Sequence, residues 1–202
     1  MFNDKFKISI IGFGKLGSAM GVSFAASGFN VMAYDNNLGL IEKFKEKKTP
    51  FKEKNLDKFL KKSFKKIEFV KNIETAVMNT NISFLVLPTP VKADGKYSLD
   101  YIFNCLNKMI PSLNKKKNHN IVLTSTVMPE SCNTKIIPYL KKKIRSSKIN
   151  FFYSPEFISI GNIIDEFINP KLILIGNNKN QNSILLQKIY QKVCGKNVKI
   201  FN

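Results

Sequence analysis

The sequence is poor in the side chains that most often perform metal and thiol chemistry. Its three cysteines, Cys105, Cys132 and Cys194, are scattered and form no C-x-x-C pair, so we interpret them as reduced and mostly structural thiols. The single histidine, His119, lies in a polar stretch, where we expect a solvated surface residue rather than a base or a ligand. The sequence therefore predicts no metal site.

Long apolar runs are also missing. No segment approaches the length of a membrane span, and the N-terminal residues MFNDKFKISI lack the apolar core of a signal peptide. Hydrophobic residues still make up 44% of the 202 residues, which is enough for a buried core and one substantial domain. These observations predict a cytoplasmic protein with no membrane partner and a single domain over residues 1–202.

Acidic residues are scarce, and the formal net charge is +19. Clustered bases are typical of nucleic-acid-binding proteins, but almost all the bases here are lysines and Arg145 is the only arginine. Arginine is the usual group for bidentate recognition of bases and phosphates. The lysines are spread over predicted surface helices and are densest between Lys43 and Lys71. We therefore expect a solvated basic surface and no nucleic-acid partner; the alternative, binding by charge alone, predicts a steep loss of affinity with salt.

The stretch from Lys7 to Asp35 carries the most informative pattern. An apolar run over residues 8–11 leads into G-x-G-x-x-G, a helical segment follows, and a second strand stops at Asp35. In such a β-α-β unit the glycines allow a tight turn, the approach of a pyrophosphate to the backbone, and close packing of the helix on the sheet. The terminal carboxylate accepts hydrogen bonds from ribose hydroxyls and repels a 2′-phosphate. We therefore predict that NAD, rather than NADP, binds to Gly12, Phe13, Gly14, Lys15, Leu16, Gly17 and Asp35.

Strand and helix patterns alternate along the rest of the chain, without an internal repeat or a flexible linker. This alternation predicts an α/β fold of the Rossmann type, with a doubly wound and mainly parallel sheet. The predicted helices cover residues 38–48, 53–62, 73–78, 99–110, 130–143 and 181–193. The predicted strands after the first unit cover residues 67–70, 82–87, 121–124, 150–153, 172–175 and 198–201.

Proline and polar residues follow several of these strands. The ligand of an open α/β sheet binds beyond the carboxyl ends of the strands. We therefore expect one cleft to be shared by five segments, at residues 12–17, 35, 88–90, 125–127 and 154–156. Serine and threonine at strand ends serve equally well as helix N-caps, so both interpretations stay open for these hydroxyls. The further predicted cofactor contacts are Pro88, Thr89, Pro90, Ser125 and Thr126.

These motifs, in this order, resemble the UDP-glucose/GDP-mannose dehydrogenases, which are NAD-dependent nucleotide-sugar 6-dehydrogenases. The similarity spans nearly the whole chain, and an ordered set of motifs is much more specific than a glycine loop alone. The matching elements are GFGKLG, Asp35, Pro50-x-x-Glu53, V-x-P-T-P at 86–90, Ser-Leu-Asp at 98–100, Ser125-Thr126-Val127, Ser154-Pro155-Glu156-Phe157 and the strand at 170–176.

The resemblance implies a mechanism and two catalytic positions. In the family, the sugar C6 alcohol passes hydride to NAD, a cysteine traps the aldehyde as a thiohemiacetal, a second hydride transfer gives a thioester, and water releases the uronic acid. Residues matching Thr126 and Glu156 lie by the reacting centre, where they help to hold a water and manage protons. A carboxylate near that water is a suitable general base. We therefore expect Thr126 and Glu156 to be catalytic residues.

The chain also departs from the family pattern. The family's nucleophilic cysteine lies in a G-G-x-C motif, and its catalytic lysine and asparagine lie on a long central helix; neither feature is recognised in this sequence. Where the family usually has a glutamate, an arginine and a further basic residue, this chain has Ile160, Leu172 and Leu40. The resemblance therefore implies an N-terminal NAD-binding domain, without the central helix and C-terminal domain, that is incomplete for catalysis.

Together, these features predict an NAD-binding domain of a UDP-glucose 6-dehydrogenase-like enzyme. We expect its nucleotide-sugar substrate to bind through further domains, in a homo-oligomer or with a separate C-terminal half, and the sequence leaves open whether the chain is itself an enzyme. The first alternative is a non-catalytic or degenerate NAD-binding module with a protein partner. The second is another β-hydroxyacid dehydrogenase, which the motifs at 125–127 and 154–157 fit less well.

Overall fold

The computed structural model describes residues 2–145, 149–177 and 182–202, in which strands and helices alternate. The strands are β1 (Lys7–Ile11), β2 (Asn30–Tyr34), β3 (Ile67–Phe69), β4 (Ile82–Leu85), β5 (His119–Leu123), β6 (Ile149–Tyr153), β7 (Ile173–Leu174) and β8 (Ile200–Phe201). The α-helices are α1 (Lys15–Ala26), α2 (Leu38–Lys45), α3 (Leu56–Ser63), α4 (Ile73–Met78), α5 (Asp100–Leu113), α6 (Ile137–Lys143), α7 (Ile163–Ile168) and α8 (Ile184–Cys194). A 3-10 helix at Phe64–Lys66 and a π-helix at Cys132–Ile136 are also present.

The first six strands form one parallel sheet in the order β3-β2-β1-β4-β5-β6. β1 pairs with β2 on one side and with β4 on the other, so the sheet grows outward from its centre in two directions. This strand order is that of a doubly wound Rossmann-type sheet. It confirms the predicted fold class.

The central strands are apolar because helices cover both faces of the sheet. In β1, Ile8 and Ile10 belong to a core that includes residues of α1, α3, α7 and α8, whereas Ile11 belongs to a second core with residues of α4, α5 and α6. Successive side chains of a strand point to opposite faces, so a nearly continuous apolar run suits a strand that is covered twice. The sheet thus places the ends of its central strands between two packed layers of helices.

The last two predicted strands do not extend the main sheet. β7 and β8 pair in parallel as a separate two-stranded sheet. An antiparallel bridge between Tyr153 and Gly176, with N–H···O distances of 2.8 and 2.7 Å, occupies the outer edge at the end of β6. The predicted strands at residues 172–175 and 198–201 therefore form, but they lie outside the doubly wound sheet.

Several helix boundaries also differ from those predicted. The helix expected over residues 130–143 is divided into the π-helix and α6, because Pro138 has no N–H to donate to the carbonyl four residues earlier. α5 runs beyond residue 110 and contains Pro111. The sequence does not predict α7, whose six residues are too few for a clear helical period. The helix expected from Gln181 begins at Ile184, and Gln181 itself lies outside the described residues.

His119 is buried, and the prediction of a solvated surface residue is wrong. It opens β5, and its side chain is 1% exposed. Its Nε2 lies 2.8 Å from the Ser83 hydroxyl, which lies 2.7 Å from the Ser9 hydroxyl in the adjacent strand. Burial, with a smaller contribution from the charge of Lys116, lowers the pKa of His119 to about 3. The polar residues around His119 in the sequence suggest a surface position. In the fold, however, β1, β4 and β5 each contribute one polar side chain to this buried hydrogen-bonded chain.

The cysteines are free thiols, with Cys105 buried and the other two partly buried. Burial raises the pKa of Cys105 to about 12, that of Cys132 to about 11 and that of Cys194 to about 12. Within the described ranges, no helix combines the length and apolar character needed to cross a bilayer. The same residues contain no group of three or more His, Cys, Asp or Glu side chains that could hold a metal ion.

Candidate cofactor-binding site

A cleft of about 830 Å³ opens over the carboxyl ends of the parallel strands, where the strand order reverses between β1 and β4. Open α/β sheets bind their ligands at this position. The cleft brings together residues from all five segments that the sequence predicts to meet. The predicted site residues that line it are Gly12, Gly14, Lys15, Leu16, Gly17, Asp35, Pro88, Thr89, Ser125, Thr126 and Glu156.

The turn after β1 requires glycine at two of its three motif positions. Gly12 has a φ of +96°, and a Cβ there would lie 2.1 Å from the carbonyl oxygen of Val86. A Cβ on Gly17 would lie 1.9 Å from the carbonyl oxygen of Gly12, because the first turn of α1 packs directly on the loop. A side chain at either position would force α1 and β4 away from the turn.

Gly14 is different, because a Cβ built on it meets no atom within 4 Å. The space above the turn is therefore open to a ligand. Gly14 also precedes α1, whose first turn has neither a side-chain cap nor an acidic residue. Unpaired N–H groups and the positive end of the helix dipole favour an anion at such a position. On these grounds the turn fits the diphosphate of a dinucleotide.

Asp35, directly after β2, connects the end of that strand to the glycine turn. One carboxylate oxygen accepts a hydrogen bond from the N–H of Phe13 at 2.7 Å, and the other accepts one from the N–H of Asn37 at 2.8 Å. Each carboxylate oxygen has a second lone pair, so the group can still accept hydrogen bonds from hydroxyls in the cleft. Asp35 is partly exposed and faces the open side of the turn.

Two predicted contacts, Phe13 and Pro90, do not line the cleft. The ring of Phe13 is fully buried and packs edge-on against Phe44, with 5.0 Å between the ring centroids. Only the N–H of Phe13 reaches Asp35. Pro90 lies beyond the bend of its loop, where its carbonyl accepts a hydrogen bond from the N–H of Ser98 at 2.8 Å. Phe13 packs into the aromatic core instead of the cleft. The loop after β4 turns away from the cleft at Pro90.

Hydroxyl groups join the loops that follow β4 and β5. Ser125 Oγ accepts a hydrogen bond from the N–H of Leu87 at 2.8 Å, and Thr89 Oγ1 donates one to the carbonyl of Thr126 at 2.7 Å. Among the described helices, neither hydroxyl acts as an N-cap; both hold one loop to the other. The side chain of Thr126 is exposed and lines the cleft.

Glu156 follows β6 and reaches the same cleft as Thr126. Its Oε1 lies 3.2 Å from the hydroxyl of Tyr190 on α8, and that hydroxyl lies 2.9 Å from the hydroxyl of Ser154. Burial raises the pKa of Glu156 to about 8, whereas a hydrogen bond donated by Tyr190 to the ionised carboxylate would lower it. The sequence motifs point to Glu156, but they give no signal for Tyr190, because it lies 34 residues further along the chain.

One wall of the cleft comes from α5, and the sequence motifs do not predict it. It consists of Tyr101, Asn104, Cys105 and Lys108. Their spacing of three, four and seven residues is that of one helix face. This spacing, in a helix that directly follows a loop at the carboxyl edge of the sheet, is the signal that predicts such a wall.

A doubly wound parallel sheet, a glycine turn that opens onto a helix N-terminus and an acid after the second strand define a Rossmann-type dinucleotide-binding domain. The sequence model for the NAD-binding domain of the UDP-glucose/GDP-mannose dehydrogenase family matches residues 6–194. The chain therefore belongs to the UDP-glucose/GDP-mannose dehydrogenase family. It contains the N-terminal NAD-binding domain of that family, and NAD is its cofactor.

Full-length relatives show how much of the family this chain represents. The sequence is 35% identical over 185 residues to UDP-glucose 6-dehydrogenase of Rickettsia bellii, a match that covers 91% of this chain and 42% of the relative. GDP-mannose dehydrogenase from Pseudomonas aeruginosa superposes with a TM-score of 0.88 at 25% identity, over 96% of this chain and 45% of that one. UDP-glucose dehydrogenase from Pyrobaculum islandicum shows the same fold, with a TM-score of 0.89 at 24% identity over 97% and 45% of the two chains. The chain thus spans less than half the length of these relatives.

Proposed function

We propose that this domain supplies the NAD site of a nucleotide-sugar 6-dehydrogenase, which oxidises the C6 alcohol of a UDP-glucose-like substrate to a carboxylate. The observation that carries the proposal is the hydrogen bond of 2.7 Å between the Asp35 carboxylate and the N–H of Phe13. This bond fixes an acid at the rim of the glycine turn, inside the cleft over the strand ends. A ligand with a diphosphate next to a ribose suits this arrangement, because the glycine turn can receive the diphosphate and the Asp35 carboxylate can receive the ribose.

The two halves of the cleft would hold different parts of NAD. The diphosphate would contact N–H groups of the turn and of the first residues of α1, and the adenosine ribose would contact Asp35. The carboxylate repels a 2′-phosphate, and the neighbouring Asn36 and Asn37 supply no base to offset that repulsion. The proposed cofactor-binding residues are Gly12, Phe13 through its N–H, Gly14, Lys15, Leu16, Gly17, Asp35, Pro88, Thr89, Ser125 and Thr126.

Thr126 and Glu156 are the proposed catalytic residues. NAD, when bound, supplies the hydride acceptor, and both side chains line the cleft beyond the ends of β5 and β6. A hydroxyl and a carboxyl group at this position are suited to hold a water molecule and to transfer protons. The thiol of Cys105 also lines the cleft, but burial raises its pKa to about 12, which disfavours the nucleophilic thiolate.

Complete oxidation requires a nucleophile that none of the three cysteines supplies by its environment. We therefore propose that residues 1–202 form one domain that acts with substrate-binding domains, carried by a longer chain or by a separate polypeptide. A homo-oligomer in the cytoplasm is the proposed setting. The nucleotide sugar would be recognised largely by those further domains.

Calorimetric titration with NAD and NADP tests the cofactor site. The wild type is expected to bind NAD more tightly than NADP, and Asp35→Ala should weaken NAD binding at least about tenfold, since hydrogen bonds to a charged group are lost. Asp57→Ala is the matched control, because Asp57 is an acid on α3 that pairs with Lys61 outside the cleft. Thermal melting by circular dichroism checks the fold of each variant. Equal NAD affinities of the wild type and Asp35→Ala, or no NAD binding at all, would refute the assignment.

A further inference from the structure

Three hydrogen-bonded contacts form a chain behind Glu156. Its Oε1 lies 3.2 Å from the hydroxyl of Tyr190, which lies 2.9 Å from the hydroxyl of Ser154, and that hydroxyl lies 2.9 Å from the carbonyl oxygen of Leu174. The side chains of Ser154 and Tyr190 are 0% and 1% exposed. Buried hydroxyls satisfy their hydrogen bonds inside the protein, so the contacts have to be completed by these four groups.

A count of the available hydrogens decides the protonation state of the chain. The three contacts need three hydrogens, but the two hydroxyls supply only two, and the carbonyl of Leu174 can only accept. If Glu156 is ionised, one of the three contacts brings lone pairs together without a hydrogen. If Glu156 is protonated, it donates to Tyr190, Tyr190 donates to Ser154, and Ser154 donates to Leu174. The geometry is therefore complete only with a neutral Glu156.

The surroundings of Glu156 favour the same state. The titratable groups that face it from α8 are Tyr190 and Cys194; burial raises the pKa of both, that of Cys194 to about 12, so both are neutral near pH 7. Lys15 and Asp35 line the same cleft from α1 and from the end of β2. The partial burial of Glu156 raises the pKa of its carboxyl group, which agrees with the hydrogen count.

We infer that Ser154 and Tyr190 are positioning residues that hold Glu156 as a neutral carboxylic acid with its proton directed away from the cleft. The inference deepens the proposed function and rests on it for the place of Glu156 at the reacting centre. Glu156 then presents an uncharged oxygen to a cleft that also contains Asp35 and would receive a diphosphate. It becomes a charged general base only above its own titration midpoint.

The test follows the carboxyl carbon of Glu156 by NMR in the ¹³C-labelled 202-residue chain, without NAD, from about pH 5 to about pH 9.5. Glu156→Gln identifies the signal. We expect a wild-type midpoint above about pH 6.5. Ser154→Ala should lower this midpoint by about one pH unit or more, because Tyr190 then loses its acceptor and donates to the carboxylate instead. In a Tyr190→Phe background, Ser154→Ala should leave the midpoint unchanged, since its effect passes through the Tyr190 hydroxyl.

Ser23→Ala is the matched control for the serine substitution. The hydroxyl of Ser23 is equally buried and donates to the carbonyl of Ala19 at 2.8 Å, but it lies within α1. A wild-type midpoint below about pH 6.5, an unchanged midpoint in Ser154→Ala, or an equal change in both backgrounds would overturn the inference. These outcomes are independent of the calorimetric test of the proposed function, because no NAD is present.

Discussion

Gly14 and Gly17 belong to one motif, yet the atoms around them differ. A Cβ on Gly17 would collide with the carbonyl oxygen of Gly12 at 1.9 Å, whereas a Cβ on Gly14 would meet open space. The need for glycine at position 17 thus comes from packing within the folded chain. At position 14 packing within the chain sets no such requirement, so we propose that the glycine there serves the ligand that the turn would receive.

Alanine substitutions separate these two requirements. Gly17→Ala should lower the free energy of unfolding by about 2 kcal/mol or more, because α1 has to move off the turn. Gly14→Ala should change that free energy by less than about 0.5 kcal/mol but weaken NAD binding at least about tenfold. Urea denaturation and calorimetry measure the two effects. Similar losses of stability in both variants, or wild-type NAD affinity in Gly14→Ala, would show that the glycines act in another way.

Buried His119 makes stability depend on pH. Its pKa is about 3 in the folded protein and 6.5 for an unperturbed histidine, so between these pH values the unfolded chain binds a proton that the folded chain excludes. Stability is therefore lost as the pH falls below about 6.5. Between about pH 6.5 and about pH 5, the wild type should lose about 1.5 kcal/mol relative to His119→Asn.

The comparison with a variant is needed because Glu156 acts with the opposite sign. Its pKa rises from 4.5 to about 8 on folding, so it stabilises the folded protein as the pH falls through this window. The two contributions overlap in the wild type, but the Glu156 contribution cancels in the difference between the wild type and His119→Asn. Urea denaturation at the two pH values measures this difference. Parallel pH dependence of the two proteins would contradict a buried neutral histidine.

At the scale of whole elements, the local patterns of the sequence predict much of the fold. The order β1, α1, β2 follows from an apolar run, a glycine turn and an acid, and α4 has the predicted bounds of residues 73–78. What the patterns do not predict depends on pairing between distant segments. The contact between Tyr190 and Glu156 joins residues that are 34 positions apart. The periodicity of α8 predicts which face of the helix is buried, but it does not predict which side chain that face contacts. The separate β7–β8 sheet is missed for the same reason.

Lys116 shows how one side chain secures the end of a helix. Its Nζ donates hydrogen bonds to the carbonyls of Val77, Met78 and Thr80, at 2.8, 3.2 and 2.5 Å, where α4 ends and the chain leads into β4. A cation at a helix C-terminus also interacts favourably with the helix dipole. Lys116→Met should therefore lower the free energy of unfolding by about 1 to 2 kcal/mol.

The neighbouring Lys115 provides the control for this substitution. It is exposed, and Lys115→Met should change the free energy of unfolding by less than about 0.5 kcal/mol. Urea denaturation of both variants near pH 7 measures the difference. Equal effects of the two substitutions would mean that the loss of one positive charge, and not the cap of α4, determines the result.

At the scale of the whole molecule, the sheet gathers groups from five separate stretches of the chain over one edge. The glycine turn, Asp35 and the residues after β4, β5 and β6 line a single cleft, although they are spread from residue 12 to residue 156. The excess of positive charge lies in lysines, and the ion pairs found among the described residues are largely exposed and contribute little to stability. The cleft, rather than the charge, is therefore where we place the function.

The most direct measurement is a map of backbone amide NMR shifts as NAD is added to the 202-residue chain. We expect the largest changes at residues 12–17, at Asp35 and at residues 125–126, which surround the cleft. The smaller groove of about 330 Å³ lined by Met128, Cys132 and Ile137 should change little. Shifts spread evenly over the lysine-rich helices, or the absence of any shift at Gly14 and Asp35, would contradict NAD binding in this cleft.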